Sequence, residues 1–127
     1  MVAFQPHRYS RTRALLPEFF PVFAAAHLVM VTEIYAAGEE MIPGLSGELI
    51  ARGIRDRGHP AVYFAADGPA QAEVLLQHLQ EGDLLLTLGA GDIWKLGEAV
   101  LAELSRRAVT SDPSSSAGGM PWRAQTV

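Results

Sequence analysis

The sequence predicts an α/β domain in which helices cover both faces of a mostly parallel sheet. Three observations carry this. Four short apolar runs recur along the chain, at 2–4, 27–34, 61–65 and 83–89. Segments of helical length separate them, and strand–helix alternation is the sequence form of a parallel sheet. The 127 residues, 49% of them hydrophobic, supply one substantial core rather than two.

The runs "VAF", "HLVMVTEI", "AVYFA" and "DLLLTLG" each read as a short strand buried on both faces. The first helix is expected from Ser10 or Thr12 to Ala25, with Leu15, Leu16, Phe19, Phe20 and Phe23 on one face. Pro17 and Pro21 each remove a backbone donor, which predicts a late start or a kink. Ser46 caps a second helix that runs to Arg57 with Gly58 as terminator, Leu49, Ile50 and Ile54 facing inward. A third starts near Pro69, a favoured first-turn residue, and carries Ala72, Leu75, Leu76 and Leu79. The last spans about Asp92 to Arg107 with Ile93, Leu96, Val100, Leu101 and Leu104 on one side.

Domain organisation follows from a change of composition at 109. Residues 1–108 form the domain, and "VTSDPSSSAGGMPWRAQTV", without apolar periodicity, is expected to be a disordered tail. No stretch reaches the roughly 18 apolar residues of a membrane span, and the N-terminal residues show no long apolar run behind a basic segment, so a cytoplasmic location is expected. The absence of cysteine excludes disulfides and thiolate chemistry. A net charge of −4 opposes broad adhesion to nucleic acid or an anionic membrane, so any anion site is local.

Ligands of open parallel sheets bind beyond the carboxyl ends of the strands, and three of these ends are unusual. After the first strand comes "QPHRYSRT", where Arg8 and Arg11 suit bidentate contacts to a carboxylate or phosphate and His7 adds a donor. The alternative is a set of solvated arginines, although cations at a helix N-terminus oppose its dipole and need a reason. The second end, "TEIYAAGEEMIPG", offers Glu33, Glu39 and Glu40 as bases or metal ligands, or as a solvated acidic loop that only sets backbone geometry; no metal is expected. The third, "TLGAGDIWKLG", is a glycine-rich turn that either faces a ligand or permits close packing. It misses the P-loop pattern at Trp94 and Leu96 and the dinucleotide pattern at Trp94. His27, His59 and His78 lack zinc-site spacing, and no nucleophile elbow is present.

Taken together and in order, "FQPHRYSRTR", "EIYAAGEEMIPG" and "LLLTLGAGDIWKLGE" resemble the Rossmann-like C-terminal domain of the Mur ligase family of peptidoglycan synthesis, over about residues 2 to 104. The "HRYSRT" run favours the branch that adds L-alanine to UDP-N-acetylmuramate. The resemblance implies an ATP-dependent amide-forming ligase assisted by Mg2+. In such an enzyme the muramyl carboxylate becomes an acyl phosphate that the amine of L-alanine attacks. It also implies that one preceding domain holds the UDP-sugar, another carries the P-loop, and this one closes over both.

By resemblance His7, Arg8 and Arg11 are the substrate or anion-binding residues. Tyr35, Gly38 and Glu39 match a "Y-x-A-G-E" loop, and Gly89, Gly91 and Asp92 match the glycine-rich turn, all as cleft-lining positions. The family's opening strand and helix with "D-Y-G-H-H-P" is absent, as is the P-loop. The chain is therefore expected to lack its first strand and helix, to hold no complete catalytic set and no cofactor of its own, and to be inactive alone. The competing expectation is a free-standing Rossmann-like module that binds a small anion or a partner without catalysis.

Overall fold

The computed structural model describes residues 1–111 of the chain. Four strands, β1 (Val2–Phe4), β2 (Val29–Val31), β3 (Val62–Phe64) and β4 (Leu86–Leu88), alternate with four helices, α1 (Tyr9–Val22), α2 (Gly47–Asp56), α3 (Gly68–His78) and α4 (Trp94–Ser111). All strand pairs are parallel, in the order β3-β2-β1-β4. The register sets Val2 beside Val29 and Leu86, and Phe4 beside Val31 and Leu88.

Side chains alternate across a strand, so each face of the sheet has its own core. Val2, Val29, Val31 and Val62 meet Phe23 of the α1 end and Ile50, Ala51 and Ile54 of α2 on one face. Ala3 and Met30 meet Leu75 of α3 and Leu96 and Val100 of α4 on the other. The steps β1 to β2 and β2 to β3 run in one direction with helices on the first face. The step to β4 reverses direction and changes face, as a uniform crossover hand requires.

The caps follow the local sequence. Ser46 Oγ accepts from the Leu49 amide at 3.3 Å, and Asp67 Oδ1 accepts from the Ala70 amide at 2.9 Å. These satisfy amides that a helix start leaves without intrahelical partners.

Three expectations change. First, α1 begins at Tyr9, earlier than expected, and stays helical through Pro17 and Pro21. Tertiary packing of Phe19 and Phe23 on Phe4, with ring centroids 5.2 and 5.1 Å apart, supports the turns that the prolines weaken. Second, β4 is not buried on both faces: Leu86 and Leu88 are 44% and 42% exposed. No described helix covers β4 on their side. Third, α4 continues to Ser111, past the helix end expected near Arg107. The remainder of the expected tail, 112–127, lies outside the described residues, as does Trp122.

Candidate functional site

The carboxyl ends of the strands open into a cleft of about 450 Å³. Gln5 after β1, Thr32 to Ala36 after β2, Ala66 after β3, and Asp92 and Lys95 beyond β4 line it, with Gln71 of α3. This is the position where an open parallel sheet presents groups to a ligand.

Gln5 ties the first end to the last. Its Nε2 donates to Asp92 Oδ1 at 2.9 Å, and the Asp92 amide donates to Gln5 Oε1 at 3.1 Å. The Gln5 hydrogen bond, then the nearby Lys95 ammonium, hold the Asp92 carboxyl below its ordinary range. Lys95 Nζ lies 3.8 Å from Asp92 Oδ2 and 5.8 Å from the Trp94 ring centre. The Asp92 amide is thus committed to Gln5 rather than free to face a phosphate.

The glycines of this turn have a packing reason. A Cβ on Gly91 would stand 2.6 Å from both Gln5 Oε1 and Tyr35 Cγ, and one on Gly89 would stand 2.9 Å from the Gln5 carbonyl oxygen. Real side chains do not tolerate such approaches, so the turn can press against β1 and the Tyr35 ring only without them.

The "HRYSRT" run splits between inward and outward residues. Tyr9 and Thr12 are buried, Tyr9 in a small core with Ile34 and Leu45. Arg8 and Arg11 are exposed. Neither has an ion-pair partner among the described residues. Arg8 occupies the cap position of α1 with φ 66°, a conformation a non-glycine residue adopts at a cost. Two hydrogen bonds hold it there: its amide donates to the Tyr35 carbonyl at 2.8 Å, and its carbonyl accepts from the Thr12 amide at 3.0 Å. His7 stacks on Tyr35, with ring centres 5.7 Å apart and planes 9° from parallel.

The acidic loop after β2 performs backbone work. Glu33 Oε1 accepts from the Ile34 amide at 2.8 Å and the Gly47 amide at 2.9 Å, which places a carboxylate at the start of α2. Glu39 Oε2 accepts from the Ser10 amide at 2.9 Å, and its other oxygen accepts from the Ser10 hydroxyl. Those Ser10 bonds, with a smaller contribution from Arg8, hold the Glu39 carboxyl below its ordinary range. Glu39 therefore supplies the compensation that the arginine-rich start of α1 lacked in the sequence reading. Among the described residues no three His, Asp or Glu side chains converge as a metal site needs.

Of the residues singled out beforehand, Glu33, Tyr35 and Asp92 line the cleft. His7 adjoins it through the Tyr35 ring, whereas Arg8 and Arg11 stand outside its wall. Gly38, Glu39, Gly89 and Gly91 shape the loops without lining it. The residues missed were Gln5, Thr32, Gln71 and Lys95. Gln5 was findable, because it directly follows the last residue of β1; an uncharged amide does not draw attention in a search for charge.

No family profile matches the chain. Curated relatives do. A UDP-N-acetylmuramate--L-alanine ligase of Syntrophotalea carbinolica is 49% identical over 107 residues, 84% of this chain and 23% of the relative. Ligases of the same name from Geobacter sulfurreducens and Myxococcus xanthus are 52% and 45% identical over 104 and 112 residues, 82% and 88% of this chain. The chain thus spans under a quarter of the length of these relatives, 22% and 24% in the latter two, and what it matches is their C-terminal part.

Proposed function

This chain belongs to the Mur ligase family, matching the C-terminal part of its alanine ligases, and we propose that it acts as the closing portion of an enzyme that joins L-alanine to UDP-N-acetylmuramate. The observation that carries this is the identity of 44–52% to several such ligases over more than four fifths of the chain. A stand-alone anion-binding module gains no support from such relatives.

On this reading His7, Arg8 and Arg11 form an anion clamp on one wall of a cleft completed by the remaining part of the enzyme. Two exposed guanidiniums that form no ion pair among the described residues, with the nearby Glu39 oxygens taken by Ser10, favour negative charge beside them at the electropositive start of α1. The ligand is the carboxylate of L-alanine or the phosphate charge that develops as an acyl phosphate forms and breaks. Closure that removes water strengthens such contacts; one preorganised donor then contributes about 3 kcal/mol to a transition state, against about 1 or less for an exposed pair.

ATP and Mg2+ would supply carboxylate activation in the whole enzyme. The residues described here fit neither group as its principal holder: no carboxylate cluster converges, and the Asp92 amide of the glycine-rich turn is occupied by Gln5. What these residues do is position. Gln5, Asp92 and Tyr35 keep the three strand ends in register, and His7 is oriented by the Tyr35 ring.

The test is a chimaera in which this chain replaces the matched C-terminal portion of the Geobacter sulfurreducens ligase. Alanine-dependent phosphate release is expected from the chimaera and none from the chain alone. Replacing Arg8 and Arg11 together by alanine should lower kcat/KM about a hundredfold or more while the fold persists. An inactive but folded chimaera, turnover by the isolated chain, or indifference to the arginine pair overturns the proposal.

A further inference from the structure

The start of α1 is capped from elsewhere in the chain. Helices α2 and α3 carry their own capping side chains, Ser46 and Asp67, whereas Arg8 stands in that place before α1 and makes no side-chain capping bond. No acidic residue lies in the first turn of α1. Glu39, 29 positions away from Ser10, supplies the acceptors instead: one carboxylate oxygen takes the Ser10 amide at 2.9 Å and the other takes the Ser10 hydroxyl at 2.5 Å. One serine or aspartate at position 8 would make a permanent cap; a side chain on a separate loop makes a removable one.

That loop is held at its ends and tethered once in between. Positive φ at Ala37 (51°), Gly38 (86°) and Gly44 (79°) turns the chain, and Met41 within the loop is 70% exposed. Among the described residues, the hydrogen bonds that tie 37–41 to another element are those of Glu39 to the start of α1. The Glu39 amide bonds only within the loop, to the Ala36 carbonyl at 3.1 Å. At the loop ends the Tyr35 amide donates to the Pro6 carbonyl at 2.8 Å, and Ile34 and Leu45 pack with Tyr9. Release of Glu39 therefore frees the middle of the loop and leaves its anchors in place.

The same carboxylate bears on the arginines. The Ser10 bonds, and less strongly the Arg8 charge, hold the Glu39 carboxyl below its ordinary range, and the attraction to Arg8 is mutual. While seated, Glu39 offsets part of the positive potential that Arg8, Arg11 and the α1 amides present. We propose that Glu39 is the resident counter-anion of the clamp, and that a ligand oxyanion binds by displacing it from Ser10. The ligand is of a class that presents two oxygens on one centre, a carboxylate or a phosphate, because that is what the Ser10 amide and hydroxyl hold now. Ser10 thereby joins the binding residues. The inference rests on the anion-clamp reading above and adds its regulation: the clamp is weak while Glu39 is seated and gains strength on its release.

Inorganic phosphate, with acetate in a parallel titration, is the probe for the full chain. Either anion should shift the Ser10 amide, the Arg8 and Arg11 Nε–H signals and the amides of 37–41 along one saturation curve, and the tighter of the two names the preferred oxyanion. Glu39→Gln should tighten binding about fivefold or more, the effect of removing one like charge close to an exposed site. Glu40→Gln makes the same change of net charge at an exposed neighbour and should alter binding by less than about twofold. Adding Arg8→Ala and Arg11→Ala to Glu39→Gln should abolish saturable binding. If Glu39→Gln loses its circular dichroism signature, the shifts of Ser10 and 37–41 in the native chain decide alone.

Equal tightening in Glu39→Gln and Glu40→Gln, saturable binding that leaves Ser10 and 37–41 unmoved, or no saturable binding to folded Glu39→Gln overturns the proposal. The chimaera separates this from the ligase reading. Turnover with anion binding indifferent to Glu39 leaves the ligase assignment standing and removes the displacement, and displacement without turnover does the reverse.

Discussion

Gln5 and Asp92 exchange two hydrogen bonds between the end of β1 and the turn after β4, residues 87 positions apart in sequence. Only a side-chain amide donates and accepts in this way, so a charge of either sign fails at position 5.

Gln5→Glu should remove the donor to Asp92 and set two carboxylates together. The stability loss expected at neutral pH is about 1 kcal/mol. Its pH dependence follows from linkage. Asp92 is held below its ordinary value of 3.8, so its contribution is full above that value and is lost as pH falls through the lower folded one. The gap between the native chain and Gln5→Glu should therefore be widest near neutrality and close in acid. Urea midpoints at pH 7 and pH 3 check this; a gap that widens in acid contradicts the assignment.

Glu39 makes a related case at the start of α1. With its folded value lowered from 4.5 by the Ser10 bonds, it stabilises the helix start above that value and ceases to do so as pH falls through the folded one. Glu39→Gln should make the Ser10 and Tyr9 amides exchange faster at neutral pH, with the native chain converging on the variant in acid. Amide exchange by NMR reads this directly. Equal protection in both proteins at neutral pH would leave the Glu39 contacts without consequence.

Gly91 and Gly38 are glycines for different reasons, and substitution should separate them. At Gly91 an added methyl meets Gln5 and the Tyr35 ring at 2.6 Å, so Gly91→Ala should cost about 1–3 kcal/mol and disturb the His7–Tyr35 stack. At Gly38 the space is open but φ is +86°, so Gly38→Ala should cost about 1 kcal/mol from the backbone alone and leave the stack intact. Unfolding midpoints with ring chemical shifts distinguish the two. A shifted Tyr35 resonance in Gly38→Ala would contradict the division.

The strands were readable because short apolar runs around 2–4, 29–31 and 62–64 are separated by segments of helical length, and α2 because Ser46 and Gly58 bracket it. The status of β4 was not readable. Leu84, Leu86 and Leu88 spell a buried strand whatever covers them, and a missing cover leaves no mark in the strand itself. The site shows the same asymmetry. Charged and glycine-rich strand ends announced themselves, but the cleft wall depends on which ends the crossovers bring together, and Gln5 acquires its role only by meeting Asp92.

Arg8 combines a strained backbone with an exposed charge, and two substitutions pull these apart. At φ 66° a side chain costs backbone energy that glycine avoids, so Arg8→Gly should raise the unfolding free energy by about 1 kcal/mol, whereas Arg8→Ala retains the strain and should leave it nearly unchanged. Both remove the guanidinium from the start of α1. In the chimaera described above both should therefore lose turnover to a similar degree, about a hundredfold for one preorganised contact. A variant more stable and less active than its parent is what a residue held in place for binding produces. If Arg8→Gly gained stability and kept full turnover, the strain would have no functional purpose and the clamp would reduce to His7 and Arg11.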